Sequence, residues 1–289
     1  MSSTIKHDRR DLDTSGITAV EVATFNGELT VDTGASQSYM DITVRGSAIL
    51  DIERIDQLLY IRASKKGLSF AGSEVDLHVH LPEDLALTLA NVNGPITLRG
   101  RARHVEARTY NGTVRTQSTG PAAIHAHVAS GRVEILSADG PVHVSAGNGQ
   151  VHITDCAAGA HIATANGMAE VLRTNGRVHI STANGSIRIE DCAGEFQINS
   201  ANSFVTWEHV TLQGGSRNWI KSSAGAVEIG GLRAPEGVEI RVKSIRQPVR
   251  VDLPGYEVEA HRGRLVASLA GRDSARLEIS TLGDVSISV

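Results

Sequence analysis

The chain has 289 residues, and its 28 Lys and Arg against 32 Asp and Glu give a formal net charge of -4. This balance, without a run of basic residues, excludes the electrostatic footprint of a nucleic-acid partner. The first residues carry no apolar signal segment, and no stretch approaches the ~18 apolar residues of a spanning helix, so we expect no direct membrane insertion and a cytoplasmic location.

The N-terminal part of the chain is predicted to be a cap. We expect the polar residues 1–16 to form a flexible tail that precedes a single domain over residues 17–289. Residues 17–92 alternate apolar and polar side chains in short runs typical of strands, and Asn26-Gly27 after one run predicts a hairpin turn. An uncovered end of a stack of strands is an open sheet edge, so we interpret residues 17–92 as an irregular β cap on a repeat.

Residues 93–223 divide into consecutive rows that each open on Asn-Gly or a close substitute. The row starts are Asn93, Asn111, Ser130, Asn148, Asn166, Asn184 and Asn202, in steps of 18 or 19 residues. A repeat of this length buries its apolar face against the next copy. The period therefore predicts an all-β fold, a single-stranded parallel β-helix or β-solenoid of about 18 residues per coil. Half-repeats of about nine residues rather than six favour a right-handed coil.

Each row places four side chains inward by the two-residue alternation of strands. In the first half of the rows the inward columns are Ile96, Val114, Val133, Val151, Ala169, Ile187, Val205 and Val227, and Leu98, Thr116, Ile135, Ile153, Val171, Ile189, Trp207 and Ile229. In the second half they are Val105, Ile124, Val142, Ala160, Val178 and Phe196, and Ala107, Ala126, Val144, Ile162, Ile180 and Ile198. We call these four sets the core columns. The stacked asparagines Asn148, Asn166, Asn184 and Asn202 are expected to pass amide hydrogen bonds from row to row.

Beyond the regular rows, residues 224–289 keep the strand alternation but lose the strict period. Short apolar runs are separated by Pro235, Pro248 and Pro254. Because Pro cannot donate to a strand ladder, these positions mark breaks. We interpret residues 224–289 as further coils and an irregular β cap at the other end.

The two cysteines, Cys156 and Cys192, occupy the same place in two rows that are separated by one other row. Stacked at ~4.8 Å per row, their Cα atoms are expected ~9.6 Å apart, beyond the ~7 Å limit for a disulfide. We therefore predict two free thiols, which suit a reducing compartment.

Three segments carry a resemblance to a known family. They are the opening strand with an Asn-Gly hairpin at Phe25–Val31, the passage Val75–Gly100, and the reiterated NGxVxI units. Together they resemble the bacterial putative adhesin family of unknown function, whose members are β-solenoids. The resemblance spans nearly the whole chain and implies cell-surface adhesion, although this chain shows no export or anchoring segment. It implies no active-site residues.

One outward column carries four imidazoles on consecutive rows, His125, His143, His161 and His179. At ~4.8 Å between rows, a pair of neighbours is a speculative site for a transition metal, with Zn–N bonds near ~2.0 Å. The alternative is that the four are copies of one ancestral repeat on a solvated strand face. We favour the second interpretation, because no Cys or carboxylate pattern completes a ligand set, and we predict no cofactor.

Two further features bear on function. Asp155 and Asp191 have the spacing of paired carboxylates, but Arg173 lies between them and holds both ionised, which predicts a salt ladder rather than catalytic acids. An outward column of Arg115, Glu134, His152, Glu170 and Arg188 is expected to form cross-strand ion pairs. Trp207 is expected in the core, whereas Trp219 is a speculative exposed binding contact.

These features predict a protein that is not an enzyme, a scaffold or adhesin-like interaction protein whose partner is an unknown protein or a second copy of itself. A glycan partner stays open without a motif that supports it. Two alternatives are kept: a self-assembling filament similar to the bactofilins, and a carbohydrate-active β-helix enzyme.

Overall fold

The computed structural model describes residues 5–65, 73–244, 249–261, 264–269, 271 and 273–288. Every regular element of these residues is a β-strand. The chain divides into two compact units, Met1–Ser145 and Ala146–Val289. The sequence prediction of one domain over residues 17–289 stays a prediction.

Unit 1 begins with nine short strands and continues in longer ones. They are β1 (Ile5–Asp11), β2 (Ala19–Asn26), β3 (Leu29–Thr33), β4 (Tyr39–Arg45), β5 (Ala48–Ile55), β6 (Leu58–Lys65), β7 (Glu74–Leu81), β8 (Ala86–Asn93), β9 (Ile96–Arg99), β10 (His104–Gly120) and β11 (Ala123–Ala138). Strand β12 (Val142–Cys156) includes the boundary between the units.

Unit 2 has the reverse order of lengths, with long strands first. They are β13 (Ala160–Leu172), β14 (Asn175–Glu190), β15 (Ala193–Glu208), β16 (Thr211–Leu212), β17 (Arg217–Ala224), β18 (Val227–Gly230), β19 (Val238–Ser244), β20 (Val249–Asp252), β21 (Glu257–His261), β22 (Arg264–Leu269), β23 (Ala275–Thr281) and β24 (Val285–Ser288). Pro248 and Val289 lie outside the described residues.

The predicted parallel pairing of successive rows is confirmed inside each unit. In unit 1, β10 pairs in parallel with β8, β9 and β11, so that Leu89, Ala107 and Ala126 are neighbours across three strands. In unit 2, β14 lies parallel between β13 and β15. The register there joins each residue to the one 18 positions later, as Ile162 is joined to Ile180. The backbone hydrogen bonds of a row are therefore made with its neighbouring rows.

The first row of the stack in unit 1 begins earlier than the sequence predicted. Strand β2 pairs in parallel with β6 and β8, and β3 pairs in parallel with β7 and β9. Both edges of each strand are thus occupied by other strands. The predicted hairpin at Asn26-Gly27 is wrong, because Asn26 is in register with Asn93 and the dipeptide is the corner of a row.

Antiparallel strands complete unit 1 beyond that row. Strand β4 pairs antiparallel with β7, and β5 pairs antiparallel with β6. Strand β1 pairs antiparallel with β4 over its full length. The prediction of a flexible tail over residues 1–16 is therefore wrong for Ile5–Asp11, whose side chains are exposed but whose backbone is paired.

The C-terminal row of unit 2 lies between two earlier rows. Strand β23 pairs in parallel with β17 on one side and β19 on the other, and β24 lies in the same way between β18 and β20. Strands β19, β22 and β21 continue as an antiparallel set. The irregular β caps that the sequence predicted thus each contain a row inserted out of chain order, joined to antiparallel strands.

All positions of the core columns are buried, as predicted. The structure adds two buried columns that the alternation rule missed. One is Thr119, Ala138, Cys156, Thr174, Cys192 and Val210, and the other begins with Thr109, Val128, Ala146, Thr164 and Thr182. Both lie at the ends of the half-rows, where small or hydroxylated side chains fit a corner and where the two-residue count restarts.

Each row turns at two kinds of corner. The Asn-Gly corner leaves the strand pairing unbroken and carries the predicted amide ladder, in which Asn166 donates to Asn148 (2.8 Å), Asn184 to Asn166 (2.9 Å) and Asn202 to Asn184 (3.1 Å). The second corner was not predicted. It uses left-handed non-glycine residues with φ between 45° and 57° in successive rows: Ser118, Ser137, Asp155, Arg173, Asp191 and His209.

The two cysteines are free and buried, as predicted. Burial raises the pKa of Cys192 to about 11. Because a thiol reacts as the thiolate, Cys192 is an inert core side chain at neutral pH.

Candidate functional site

The predicted histidine column is present as pairs of stacked rings. In unit 1 the rings of His125 and His143 have centroids 4.8 Å apart and planes at 21°. In unit 2 the rings of His161 and His179 are 4.6 Å apart and nearly parallel, at 6°. Burial, followed by the neighbouring His125, lowers the pKa of His143. The column is thus a ring ladder with a preference for neutral imidazoles at His143.

Stacking affects how these rings can bind an ion. The lone pair of an imidazole nitrogen lies in the ring plane, so two parallel rings direct their lone pairs side by side rather than at a shared ion. The Nδ1 atom of His179 lies 3.3 Å from Oε1 of Gln197, which ends the ladder in a hydrogen bond. Metal binding by His125, His143, His161 and His179 stays a prediction.

The predicted salt ladder is confirmed for Asp155 and Arg173 but not for Asp191, with which Arg173 makes no ion pair among those of the described residues. The Arg173 guanidinium donates to both carboxylate oxygens of Asp155, at 2.7 and 3.0 Å. This hydrogen bonding lowers the pKa of Asp155. The imidazole of His209 lies 3.6 Å from Asp191. A carboxyl group held ionised in this way is unsuited to act as a general acid.

The other charged column also pairs as predicted within each unit. In unit 1, Nε of Arg115 donates to Glu134 at 2.6 Å. In unit 2, Nδ1 of His152 lies 2.9 Å from Glu170, and Nε of Arg188 lies 4.0 Å from the same carboxylate. These are cross-strand pairs that stabilise the sheet surface and carry no chemistry of their own.

A group of potential metal ligands in unit 1 was not singled out from the sequence. One ligand atom from each of Asp32, His78 and His80 lies within 4.8 Å of the others. Within the described part of the chain, no other group of three or more His, Cys, Asp or Glu residues meets this distance. The group arises because His78 and His80 are two apart on β7, and β3 places Asp32 directly beside His80. The sequence signal was His-Val-His in a predicted strand, but its partner lies 46 residues away from His78.

Neighbouring side chains hold this group in place. Nε2 of His78 lies 2.6 Å from Oδ2 of Asp32, and Nη1 of Arg99 lies 3.5 Å from Oδ1. The Tyr39 ring stacks on the His80 ring at 4.2 Å. Burial, followed by the charge of His78, lowers the pKa of His80.

Trp219 lies in the outward column, as the sequence suggested, next to Gln197 on the adjacent strand. Its ring is half-buried, and Nζ of Lys221 lies 5.3 Å from the ring centroid. Trp207, in contrast, is fully buried in its core column. The two tryptophans therefore differ in burial, although the indole Nε1 of each is buried without a hydrogen-bond partner.

A cleft of ≈ 450 Å³ lies beside Trp219 on the outer face of β17, β23, β19 and β22. One cross-strand row of its lining runs from Lys221 through Ser280 and Lys243 to Arg264. Lys243 and Arg264 are directly opposite each other on antiparallel strands. Like charges in that position destabilise a sheet unless an anion lies between them.

The carboxylates of the cleft do not neutralise this cation row, by which we mean Lys221, Lys243 and Arg264. Glu239 pairs instead with Arg241 at 2.7 Å and with Arg276 at 3.2 Å. Glu278, the other carboxylate of the lining, makes no ion pair with a described side chain. Lys243 and Arg264 have no ion-pair partner among the side chains that the structure describes. The cleft therefore has an excess of positive charge on a chain whose net charge is -4.

None of the described residues belongs to a helix that is long and apolar enough to cross a bilayer.

No protein-family model matches the chain, and no curated protein matches it. Several solved structures match the chain at low sequence identity and low TM-score. A putative adhesin from Parabacteroides merdae is 12% identical over 80% of this chain and 95% of its own, with a TM-score of 0.35. A putative adhesin from Bacteroides fragilis is 10% identical over 98% and 97%, with a TM-score of 0.33. A putative cell adhesion protein from Clostridium sporogenes is 11% identical over 98% and 99%, with a TM-score of 0.23. At such low identities and TM-scores neither a role nor a site is transferred from these proteins to this chain.

Proposed function

We propose that the chain is a non-catalytic interaction protein, adhesin-like in role, whose cleft in unit 2 binds an acidic segment of a partner protein. The observation that carries the proposal is the direct opposition of Lys243 and Arg264 in a cleft whose lining has four cationic side chains against two carboxylates. A sheet bears the cost of such a pair where a ligand anion compensates it. The half-buried Trp219 does not line the cleft but lies beside its lining residue Glu278, and it offers at the rim an aromatic side chain of the kind that is enriched at binding surfaces.

The scaffold in this proposal is a right-handed β-solenoid. Three observations support it within each unit: parallel pairing of successive rows, a register near 18 residues, and buried columns that repeat from row to row. Such a stack is rigid and presents its outward columns as a continuous binding surface. The free thiols of Cys156 and Cys192 support the cytoplasmic location that we include in the proposal.

The absence of catalysis is likewise part of the proposal. The carboxylates with the best spacing for hydrolysis include Asp155, whose pKa is lowered by its hydrogen bonds from Arg173. An ionised, cation-bound carboxylate favours a structural role over the alternative of a carbohydrate-active enzyme.

Binding of an acidic peptide tests the cleft. We expect a fluorescein-labelled decaglutamate peptide to bind the full chain at low salt and an otherwise equal decalysine peptide not to bind. The substitution Lys243→Glu is expected to weaken binding about tenfold or more, because it replaces a cation of the row with a like charge to the ligand. The same change should raise the melting temperature, since Glu at 243 relieves the repulsion with Arg264. Fluorescence anisotropy across a salt series and thermal unfolding measure the two effects.

Arg103→Glu is the matched control, because Arg103 is an exposed arginine in unit 1 and the charge change is the same. It should leave peptide binding unchanged. Equal weakening by both variants would mean that only net charge matters and would refute the cleft. If polygalacturonate bound and the peptide did not, the ligand of the cleft would be an anionic glycan instead of an acidic protein segment.

Self-association is a second candidate function, favoured by strand β5. Among the described strands β5 pairs with β6 alone, and it exposes Ile49 (41%), Ile52 (36%) and Ile55 (49%). A strand edge without a partner among the described strands, with exposed isoleucines along it, is a template for pairing with a second copy. This is the observation that supports the filament alternative.

Light scattering across a hundredfold concentration range tests this candidate. We expect the mass of the unaltered chain to rise with concentration and the mass of Ile52→Lys to stay at the monomer value, because a lysine on the edge blocks strand pairing. Val92→Lys, which changes an exposed apolar residue outside β5, is the control and should still associate. A constant monomer mass for the unaltered chain would reject self-association.

A further inference from the structure

We propose that Asp32, His78 and His80 form a binding site for a divalent transition-metal ion, for which zinc is the best match. This site lies in unit 1 and is independent of the acidic-ligand cleft. The two imidazoles project from the same face of β7, because side chains two residues apart on a strand share a face. Parallel pairing places Asp32 of β3 opposite His80.

The distances allow coordination by rotation of side chains. Ligand atoms of the three residues lie within 4.8 Å of one another. Ligands at ~2.0–2.1 Å from a tetrahedral ion are about 3.3 Å apart. The Nε2 atom of His78 and Oδ2 of Asp32 are already at 2.6 Å. An ion between them replaces this hydrogen bond, and the fixed register of β3 and β7 sets the backbone positions in advance.

The donor set fits zinc rather than calcium or magnesium. Two imidazole nitrogens and one carboxylate are a ligand set typical of zinc sites that keep an open fourth position, whereas calcium and magnesium prefer oxygen ligands throughout. The side chains of His78 and Asp32 are 41% and 28% exposed, so a fourth ligand position would be open to solvent.

The surroundings orient the ligands as outer contacts do in known metal sites. Tyr39 stacks on the His80 ring at 4.2 Å, and Arg99 holds the second oxygen of Asp32 at 3.5 Å. On the other side of β7, Asp41 is opposite His78 and is itself bound by Arg9 at 2.6 Å. Arg9 and Arg99 thus each pair with one carboxylate, Asp41 and Asp32 respectively. Nε2 of His78 faces the Asp32 side chain.

A bound ion would join the parallel row of β3 to β7, which carries the antiparallel strands of unit 1. The ion would fix β3 to β7 at the place where the parallel row meets the antiparallel pair of β7 and β4. Metal binding to the folded chain stabilises it by mass action.

Calorimetric titration of the EDTA-treated, dialysed full chain with zinc sulfate tests the site. We expect one zinc ion per chain at this site, a weakening of at least tenfold for Asp32→Asn, and loss of binding for His78→Gln with His80→Gln. The matched control is His143→Ala with His161→Ala, which also removes two imidazoles but should keep this site. A cobalt titration gives a second readout, because imidazole coordination changes the visible absorption of the ion.

Circular dichroism and urea unfolding without metal verify that each variant is folded. If the double histidine variant does not fold, Asp32→Asn carries the test, because it keeps the size and the hydrogen-bonding oxygen of the side chain. Absence of zinc binding by the unaltered chain would overturn the proposal. So would equal binding by Asp32→Asn and the unaltered chain, or loss of binding in the His143 and His161 control alone.

Discussion

Trp207→Ala is expected to lower the free energy of unfolding by about 3–5 kcal/mol, as large-to-small changes of buried aromatic residues do. Trp207 is fully buried in a column where its neighbours on the adjacent strands are Ile189 and Ile229. The Phe196 ring packs on it with centroids 5.3 Å apart. No small side chain can fill the space between rows whose spacing is fixed by backbone hydrogen bonds. Urea unfolding at neutral pH measures the loss.

Trp219→Ala is the matched control for the same side chain in the other environment. Trp219 is half-buried and has Lys221 over its ring, so its removal is expected to cost about 1 kcal/mol. Trp207→Phe separates the cost of an empty cavity from the effect of the buried polar atom. The indole Nε1 of Trp207 is buried without a hydrogen-bond partner in the structure, and phenylalanine removes this atom but keeps an aromatic ring. It should cost less than half of the alanine change. Equal losses for the two alanine variants would contradict the difference in burial between the two tryptophans.

The core of this protein could be predicted from sequence because a strict repeat gives the same information many times. A single row such as Asn148–Ala165 leaves its inward face ambiguous, but aligned rows show which positions are apolar throughout. That is why Val151 and Ile153 were placed inward and His152 outward. The amide ladder of Asn166 and Asn184 followed from the same alignment.

The ends of the stack could not be predicted in the same way. Asn-Gly is the signal of a hairpin turn and also the signal of a row corner, and only the pairing of Asn26 with Asn93 distinguishes the two. That pairing joins residues far apart in sequence. Strand β1 gave no apolar pattern at all, because its exposed side chains contribute nothing to the core and its structure depends on backbone pairing with β4.

Both candidate sites were missed for the same physical reason. Asp32 meets His78 and His80, and Lys243 meets Arg264, through the register of strands in the irregular caps. In those caps the chain order does not give the spatial order. The repeat, which made the core predictable, carries no information on these two pairings, because they lie outside the regular rows.

Gly185→Ala is expected to be among the most destabilising single changes, with a loss of at least ~3 kcal/mol. Gly185 follows the ladder residue Asn184 and has φ of 142°, which non-glycine residues rarely adopt. A Cβ atom on it would overlap the carbonyl oxygen of Gly167 in the adjacent row. Because that oxygen belongs to the paired backbone, neither atom can move without separating the rows.

Gly215→Ala is the control that isolates backbone conformation from contact. Gly215 also has a positive φ, 71°, but a Cβ atom there would have no heavy atom within 4 Å. Its substitution should cost only ~1–2 kcal/mol, the penalty of a left-handed alanine. Urea unfolding of both variants, compared by midpoint and slope, gives the difference. If Gly185→Ala lowered the free energy of unfolding by no more than Gly215→Ala, the rows would be able to separate at this corner. The close stacking of Gly167 on Gly185 would then not be what fixes the Asn-Gly period.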